Sequence, residues 1–524
     1  MEERNGRSGG GCAAQAILLW RDETNAQELA KLWEELTGED CGWEAERVAA
    51  CFRGTEKETY AFPLHGIQWI LLGLGERRTD ISAPLRAREA GAALAKACRA
   101  LELSECTVRS ADRIRGRREP SRGKAGSDSA GVAPAAPERQ KSGAKEEKAV
   151  WQCNFMLGLL TGNYEFSLGR AQRGELFREK CRYYLPEEAE ALIPEMENLA
   201  QGLCFVRDLV NLPGNLLRPE ELARRILVFA GAQERIEAEL LSLPQLKEKG
   251  LRALCAVGES SKYPPCMAIL RYRGASQGKT YGLIGKGVTC DTGGYCLKKA
   301  DGMAGIKGDM AGAAAVAGAI RALAQAQAPV NVVACLPLCE NRISRSALLP
   351  GDVITGYSGK TIEILNTDAE GRLILSDAIS YALQAEQADC ILDIATLTGA
   401  AWSALGYTIG ASMSDDETEY AAFTQALERF GERYVRFPFG PEHRKMIQSH
   451  VADVKNTGSN CCGTITAGLF LREFAQGRPW IHLDIAGTAW CEEPAYSFES
   501  RGATGAGMLS LYEWLRERAT YAGA

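Results

Sequence analysis

T-I-E-I-L-N-T-D-A-E-G-R-L, from Thr361 to Leu373, passes from a strand-like run through a polar loop into a helix-like run. Thr361–Leu365 alternates β-branched and other residues and reads as a short strand. From Leu373 to Leu383 the apolar residues recur at helical spacing. The loop between them carries Asp368, Glu370 and Arg372, spaced by two. In an extended segment that spacing puts all three on one face. On an open surface such a trio would be an ion cluster of little energetic weight. At the end of a strand it is a candidate site.

Strand-then-helix units recur on either side of this stretch. Leu251–Val257, Tyr281–Lys286, Val330–Leu336, Cys390–Ile394 and Trp480–Leu483 read as strands, and Met310–Ala324 as a helix. The pattern predicts an α/β fold: a mostly parallel sheet with helices on both faces, a three-layer αβα domain over residues 196–524. Open sheets of this kind bind ligands beyond the carboxyl ends of their strands. Tyr281–Lys286 runs on to Asp291, with Lys298 and Asp309 soon after. Asp291, Asp309, Asp368 and Glu370 are therefore expected to converge.

Four converging carboxylates repel one another and hold protons unless cations sit among them. A pair of divalent ions is the simplest remedy, and carboxylate-rich donors suit Zn, Mn or Mg. The chain has only 4 histidines and no H-E-x-x-H motif, so a metal site here is built mainly from carboxylates. Each residue also has a plain structural reading. Asp309 could be the N-cap of the following helix, and Asp291 a turn residue before Gly293 and Gly294. Gly285-Lys286-Gly287 lacks the spacing of a phosphate loop. His482, spaced by two from Asp484 in an apolar segment, reads as a satisfied structural histidine rather than a ligand.

The first half alternates in the same way. Ala16–Leu19 and Gly66–Leu72 read as strands, and Asn25–Leu36, Pro84–Leu101 and Val150–Leu160 as helices. Tyr164–Phe166 reads as a last strand. This gives an N-terminal α/β domain over 10–175, followed by a connection over 176–195. Residues 109–148 interrupt it with 11 Lys and Arg against 6 Asp and Glu and no aromatic residue. Such a segment buries too little apolar surface to fold and is expected to be a disordered basic insertion. The whole chain of 524 residues carries a net charge of -6, which argues against a general nucleic-acid binder. The N-terminus lacks an apolar secretory core, and no apolar run is long enough to span a bilayer. A cytoplasmic protein is expected, with its 18 cysteines mostly reduced and buried.

Taken together these residues resemble the leucine aminopeptidase (cytosol aminopeptidase) family over roughly residues 190–524. The matching segments are N-T-D-A-E-G-R-L at Asn366–Leu373, I-G-K-G at Ile284–Gly287 and D-T-G-G at Asp291–Gly294. Others are Asp309-Met310 ahead of Gly312-Ala313-Ala314, A-T-L-T-G at Ala395–Gly399 and H-L-D-I-A-G at His482–Gly487. The resemblance implies a macro-like N-terminal domain and a two-metal aminopeptidase acting on peptides with a free N-terminus. It implies that Asp291 and Glu370 bridge the metals, that Lys286 and Asp309 complete the tighter site, and that Asp368 binds the more exchangeable ion. Mn or Zn are the ions implied, with Mg and Co as further candidates. Lys298 would stabilise the oxyanion, and Arg372 would hold a bicarbonate that serves as base. Ile306, Thr396, Leu397, Gly399, Ala486 and Ala489 would contact substrate. A homohexamer is implied as well. Leucine-like residues are the default preference, but Cys290, Ile306, Ala486 and Ala489 depart from the common pattern at pocket positions. The Asn460-Cys461-Cys462 turn and the basic insertion are also unusual. A DNA-binding regulator on the same fold is the alternative, with the insertion as its basic tether.

Overall fold

The structure is a computed structural model that describes all residues except 1–12, 38–41, 65, 77–81, 111–138, 169–180, 459–460 and 522–524. The chain forms two compact units, Met1–Glu197 with Tyr496–Glu499, and Asn198–Ala495 with Ser500–Ala524.

The first unit holds β1 (Ala13–Leu19), β2 (Thr59–Leu64), β3 (Ile67–Gly73), β4 (Glu105–Ser110) and β5 (Arg182–Tyr184), in the order β2-β3-β1-β4-β5. β1 pairs in parallel with β3 and β4, and β4 in parallel with β5; β2 is antiparallel to β3. Ala16, Leu18, Ile70 and Leu72 face one core with helix Ala83–Ala100, while Ile17, Leu19, Trp69 and Leu71 face a second core with helices Ala26–Thr37 and Gly42–Cys51. The period of two sends alternate residues of one strand into opposite layers.

Three expectations for this half change. Arg109 and Ser110 complete β4 and pair with Ile17 and Leu18, because the buried Val108 continues the strand up to them. Helix Arg139–Thr161 starts well before Val150, so 139–148 belongs to a helix. Its apolar residues, Phe155 and Leu159 among them, anchor it to the core of helix Ala83–Ala100. The remainder of the expected insertion, 111–138, lies outside the described residues. Tyr164–Phe166 is not a strand; the buried Tyr164 closes a turn by donating N–H to the Thr161 carbonyl (3.0 Å). The edge is β5 instead.

The second unit contains β6 (Ile236–Leu241), β7 (Cys266–Arg273), β8 (Thr280–Gly285), β9 (Gly287–Asp291), β10 (Asn331–Asn341), β11 (Val353–Thr355), β12 (Thr361–Glu363), β13 (Cys390–Ala395), β14 (Gly410–Ser414), β15 (Tyr434–Arg436), β16 (Val454–Lys455) and β17 (Trp480–Asp484). The main sheet runs β15-β14-β17-β13-β8-β10-β7-β6, with β9 paired to the far end of β10. Its centre, β17-β13-β8-β10, is parallel, and antiparallel pairings lie to either side. Helices Ala311–Gln325 and Met508–Tyr521 pack together in one layer; helices Glu370–Gln384, Arg252–Gly258 and Gly463–Arg472 form another. The mixed α/β fold with helix-covered parallel strands is the architecture expected.

One strand assignment does not hold, and another falls in a different sheet. Leu251–Val257 is helical from Arg252 to Gly258. A short apolar run does not distinguish a buried strand from a buried helix. Here the first turn is fixed by Asp377, whose Oδ2 accepts the Leu254 N–H at 3.0 Å. Thr361–Glu363 is a strand, but it belongs to a separate sheet, β11-β12-β16, and not to the main one. Glu370 already opens helix Glu370–Gln384, so Asp368, Glu370 and Arg372 do not share one face of an extended segment. The polar loop brings them together by turning.

Candidate active site

The parallel registers align the carboxyl ends of β8, β13 and β17. Gly285 faces Ile394, and Ala395 faces Asp484. Lys286, just past β8, donates its N–H to Ile394 (3.1 Å) and accepts from the Ala313 N–H (2.9 Å). Helix Ala311–Gln325 therefore abuts the strand ends backbone to backbone. Gly312 permits this, since a Cβ there would collide with the Ile394 carbonyl.

The Lys286 side chain is buried at the centre of the cluster. Its Nζ donates to Asp309 Oδ1 (2.7 Å) and the Thr396 carbonyl (3.1 Å), and lies 2.9 Å from Glu370 Oε1. Gly371 makes room: a Cβ there would lie 2.8 Å from Lys286 Nζ. Asp309 is not an N-cap. Met310 occupies that position with no side-chain cap, and Asp309 Oδ1 accepts from Thr396 Oγ1 (2.7 Å) as well as from Lys286.

Asp291 ends β9, opposite Asn341 at the end of β10. Its Oδ1 accepts from Asn341 Nδ2 (2.9 Å) and the Gly293 N–H (3.0 Å), and Lys298 Nζ lies 2.7 Å from Oδ2. Lys298 also pairs with Asp368. Asn341 Nδ2 further donates to the Thr367 carbonyl (3.0 Å), tying β10 to the loop that carries Asp368. Arg372 is buried and donates Nη1–H to the Asn456 carbonyl (2.9 Å), while its Nε has no hydrogen-bond partner. Asn456 also donates to the Asn366 carbonyl (2.6 Å) and accepts the Leu365 N–H (2.9 Å), holding the loop in its turn.

The charges in this pocket do not balance. Asp291, Asp309, Asp368 and Glu370 face two ammonium groups, Lys286 and Lys298. Burial, reinforced by Asp291 and Glu370, pushes Asp309 up to about 8 against the pull of Lys286. Asp368 rises to about 6 through burial and the same two carboxylates. Burial on its own would lower Lys286, but Asp309, Glu370 and Asp291 outweigh it and hold the ammonium above its ordinary range. Burial lowers Arg372 to about 10. Asp309 Oδ2 and Glu370 Oε1 are buried and meet only the shared Lys286 ammonium (2.7 and 2.9 Å), and Glu370 Oε2 is buried with no hydrogen-bond partner. Asp291, Asp309 and Glu370 each place one oxygen within 4.8 Å of the others. Orphaned, surplus carboxylate oxygens around a common point are the donor set of a hard or borderline divalent cation.

The catalytic-domain pattern described as "Cytosol aminopeptidase family, catalytic domain" matches residues 204–512. The chain belongs to the cytosol aminopeptidase family. It is 42% identical over 364 residues to a probable cytosol aminopeptidase of Alkaliphilus metalliredigens, covering 68% of this chain and 72% of that one. A counterpart in Clostridium perfringens is 41% identical over 370 residues, 69% and 75% of the two chains. Among solved structures, the bottromycin maturation enzyme BotP in complex with Mn superposes with a TM-score of 0.78 at 31% identity, over 97% of this chain and 99% of that one. A mutant of tomato leucine aminopeptidase gives 0.77 at 27% identity, over 97% and 94%. A family member with this cluster is a metallo-aminopeptidase, a hydrolase that binds divalent metal.

The positions expected to contact substrate surround the cluster unevenly. Thr396 touches it directly through both Lys286 and Asp309. Leu397 and Thr398 donate their N–H groups to Asp484 Oδ1 (3.1 and 3.4 Å), and Ala486 N–H does so at 3.1 Å. The Ile306 carbonyl accepts the Asp291 N–H (3.1 Å). A Cβ at Gly399 would meet nothing, and Ala489 is buried. His482 is buried with Nδ1 2.5 Å from Asp393 Oδ1, a structural histidine as expected, although its Nε2 has no hydrogen-bond partner. The sequence reading missed Asn341 and Asn456. Asn341 lies five residues past the predicted strand Val330–Leu336, as Asp291 lies five past Tyr281–Lys286, so the rule that singled out Asp291 applied to it too. Asn456 carried no such signal.

Proposed function

We propose that this aminopeptidase holds two divalent ions, one between Lys286, Asp291, Asp309 and Glu370, the other between Asp291, Asp368 and Glu370. The observation that carries this is the Asp291–Asp309–Glu370 triad, whose oxygens converge within 4.8 Å and outnumber the ammonium groups of Lys286 and Lys298 that face them. Bound there, such ions lower the pKa of a water and polarise the peptide carbonyl. The protein's own groups do the rest. Lys298, the more open of the two lysines, offers its Nζ to the developing oxyanion, a role worth several kcal/mol when preorganised. Arg372 presents an unbonded Nε in a buried fork, suited to hold a planar oxyanion such as bicarbonate, which would supply a base there. Asp484 anchors Thr396–Thr398, so the segment contacting both metal-site residues and substrate is rigid before substrate arrives.

Ile306, Thr396, Leu397, Gly399, Ala486 and Ala489 are assigned to the substrate wall, with leucine-like N-terminal residues as the default. Manganese is the first ion to test, because the BotP structure is a complex with Mn; zinc, magnesium and cobalt follow. Residues 10–175 are assigned to a macro-like domain, 176–195 to a connection and 196–524 to catalysis. A cytoplasmic homohexamer is the expected form; no helix among the described residues is long and apolar enough to cross a membrane. No observation favours the DNA-binding alternative.

The test is metal removal and titration. Chelated protein should lose hydrolysis of amino-acid nitroanilides and regain it at two equivalents of Mn or Zn per chain. Undiminished activity after complete removal of metal would overturn the assignment.

A further inference from the structure

The peptidase chemistry leaves Cys461 and Cys462 without a role. Among the described cysteines only Cys51, Cys461 and Cys462 are exposed. Cys462 sits at φ 57, the left-handed region, and turns the chain into helix Gly463–Arg472.

This turn is packed against the active-site segment. Thr464 Oγ1 lies 3.0 Å from Thr398 Oγ1. A Cβ on Gly463 would lie 3.0 Å from that of Ala400, so the two backbones have little slack. Thr398 bonds Asp484 Oδ2 (2.6 Å), and two residues earlier Thr396 holds Asp309 and Lys286. Movement at 461–463 thus reaches the metal-site residues through Thr464, Thr398 and Thr396.

We propose that Cys461 and Cys462 form a thiol-modification site beside the active site, where exchange with a small-molecule disulfide reversibly lowers peptidase activity. The regulatory half rests on the peptidase reading above; the modification itself does not. Burial and the Cys461 sulfur hold the Cys462 thiol above its ordinary range, and Cys461, exposed and one residue before the helix cap, is the sulfur assigned to attack as the thiolate. The nearby helix N-terminus favours that thiolate. The Cys461 thiolate attacks one sulfur of R–S–S–R, forming Cys461–S–S–R. The R–S–S–R bond breaks, and its electron pair leaves with the second sulfur as R–S⁻, which takes a proton from water. One protein sulfur is oxidised and the departing reagent sulfur is reduced. Closure to a Cys461–Cys462 disulfide is disfavoured: neighbouring Cα atoms are about 3.8 Å apart, below the separation of about 4.4 Å or more that disulfides take. The mixed disulfide is the end state.

The metal-loaded full chain is incubated with glutathione disulfide. Intact mass and peptide mapping follow the adduct, and leucine nitroanilide hydrolysis follows activity. The expected result is one adduct at Cys461 ahead of Cys51, a fall in kcat/KM of about fivefold or more, and recovery with dithiothreitol. Cys461→Ser should keep the basal activity and resist inhibition; Cys51→Ser should behave as wild type. Adducts that map elsewhere, equal inhibition of Cys461→Ser, or a Cys461 adduct with unchanged kcat/KM would each overturn the proposal. Absent hydrolysis before treatment would instead count against the peptidase reading, and a Cys461 adduct would then support the modification alone.

Discussion

Replacing Asn341 with alanine tests whether the support of the metal site matters as much as its ligands. Asn341 is buried and spends its amide on two acceptors, Asp291 Oδ1 (2.9 Å) and the Thr367 carbonyl (3.0 Å). Alanine leaves both acceptors in a buried pocket. An unsatisfied buried acceptor costs about 1–3 kcal/mol, with a charged one towards the upper end. The metal-free protein should therefore lose about 3 kcal/mol of stability. The functional effect is larger in kind. Asn341 and the Gly293 N–H saturate Oδ1 and leave Oδ2 as the oxygen turned to the cluster. Freed from Asn341, Asp291 can rotate, and the Asp368 loop loses its tie to β10. Loss of such outer partners typically lowers metal affinity or activity by about 10–100-fold. The assay is chelator competition for the first and second metal equivalents, alongside kcat/KM and urea unfolding. Metal affinities and kcat/KM within about threefold of wild type, in a folded variant, would refute the reasoning.

Four further outcomes follow from the same geometry. Glu370→Ala removes a ligand shared by both proposed sites and should cut kcat/KM by about a thousandfold or more while leaving the circular dichroism spectrum intact; activity within about tenfold would contradict the two-metal assignment. Gly371→Ala places a methyl against Lys286 and should weaken metal binding more than it changes the unfolding midpoint, as metal titration would reveal. Asp377 is held up to about 7 by burial, even though the Tyr357 and Leu254 N–H groups favour its charged form. Its folded pKa exceeds the unfolded one, so its contribution falls as pH rises from about 4 to about 7. Wild type should lose up to about 4 kcal/mol relative to Asp377→Asn across that range, and parallel pH profiles from urea unfolding would exclude this. Deleting 111–138, which spares β4 and helix Arg139–Thr161, should leave peptidase activity within about twofold; a large loss in a folded protein would tie the segment to catalysis.

The amino-acid sequence alone was enough for the reaction class and for the kinds of residue that gather at the strand ends. Acidic residues just past Tyr281–Lys286 and within N-T-D-A-E-G-R-L, with so few histidines, demand a cationic partner wherever the strands end, and the family motifs name the chemistry. The strands of the sheet centre were legible too, because a strand covered on both sides must be continuously apolar. What periodicity could not show was where short elements belong. Leu254 and Val257 are equally apolar in helix or strand, and only the Asp377 carboxylate beneath Leu254 settles the helix. Thr361–Glu363 looks like a central strand but pairs only with β11 and β16, since pairing depends on distant residues such as Val454. The site follows the same division. Asp368, Glu370 and Arg372 converge not through a spacing of two but because Asn456, some ninety residues away, turns their loop by accepting the Leu365 N–H and donating to the Asn366 carbonyl. Hydrogen-bond partners this far apart in the chain leave no local pattern, so the tertiary structure alone decides which oxygen of each carboxylate faces the cluster.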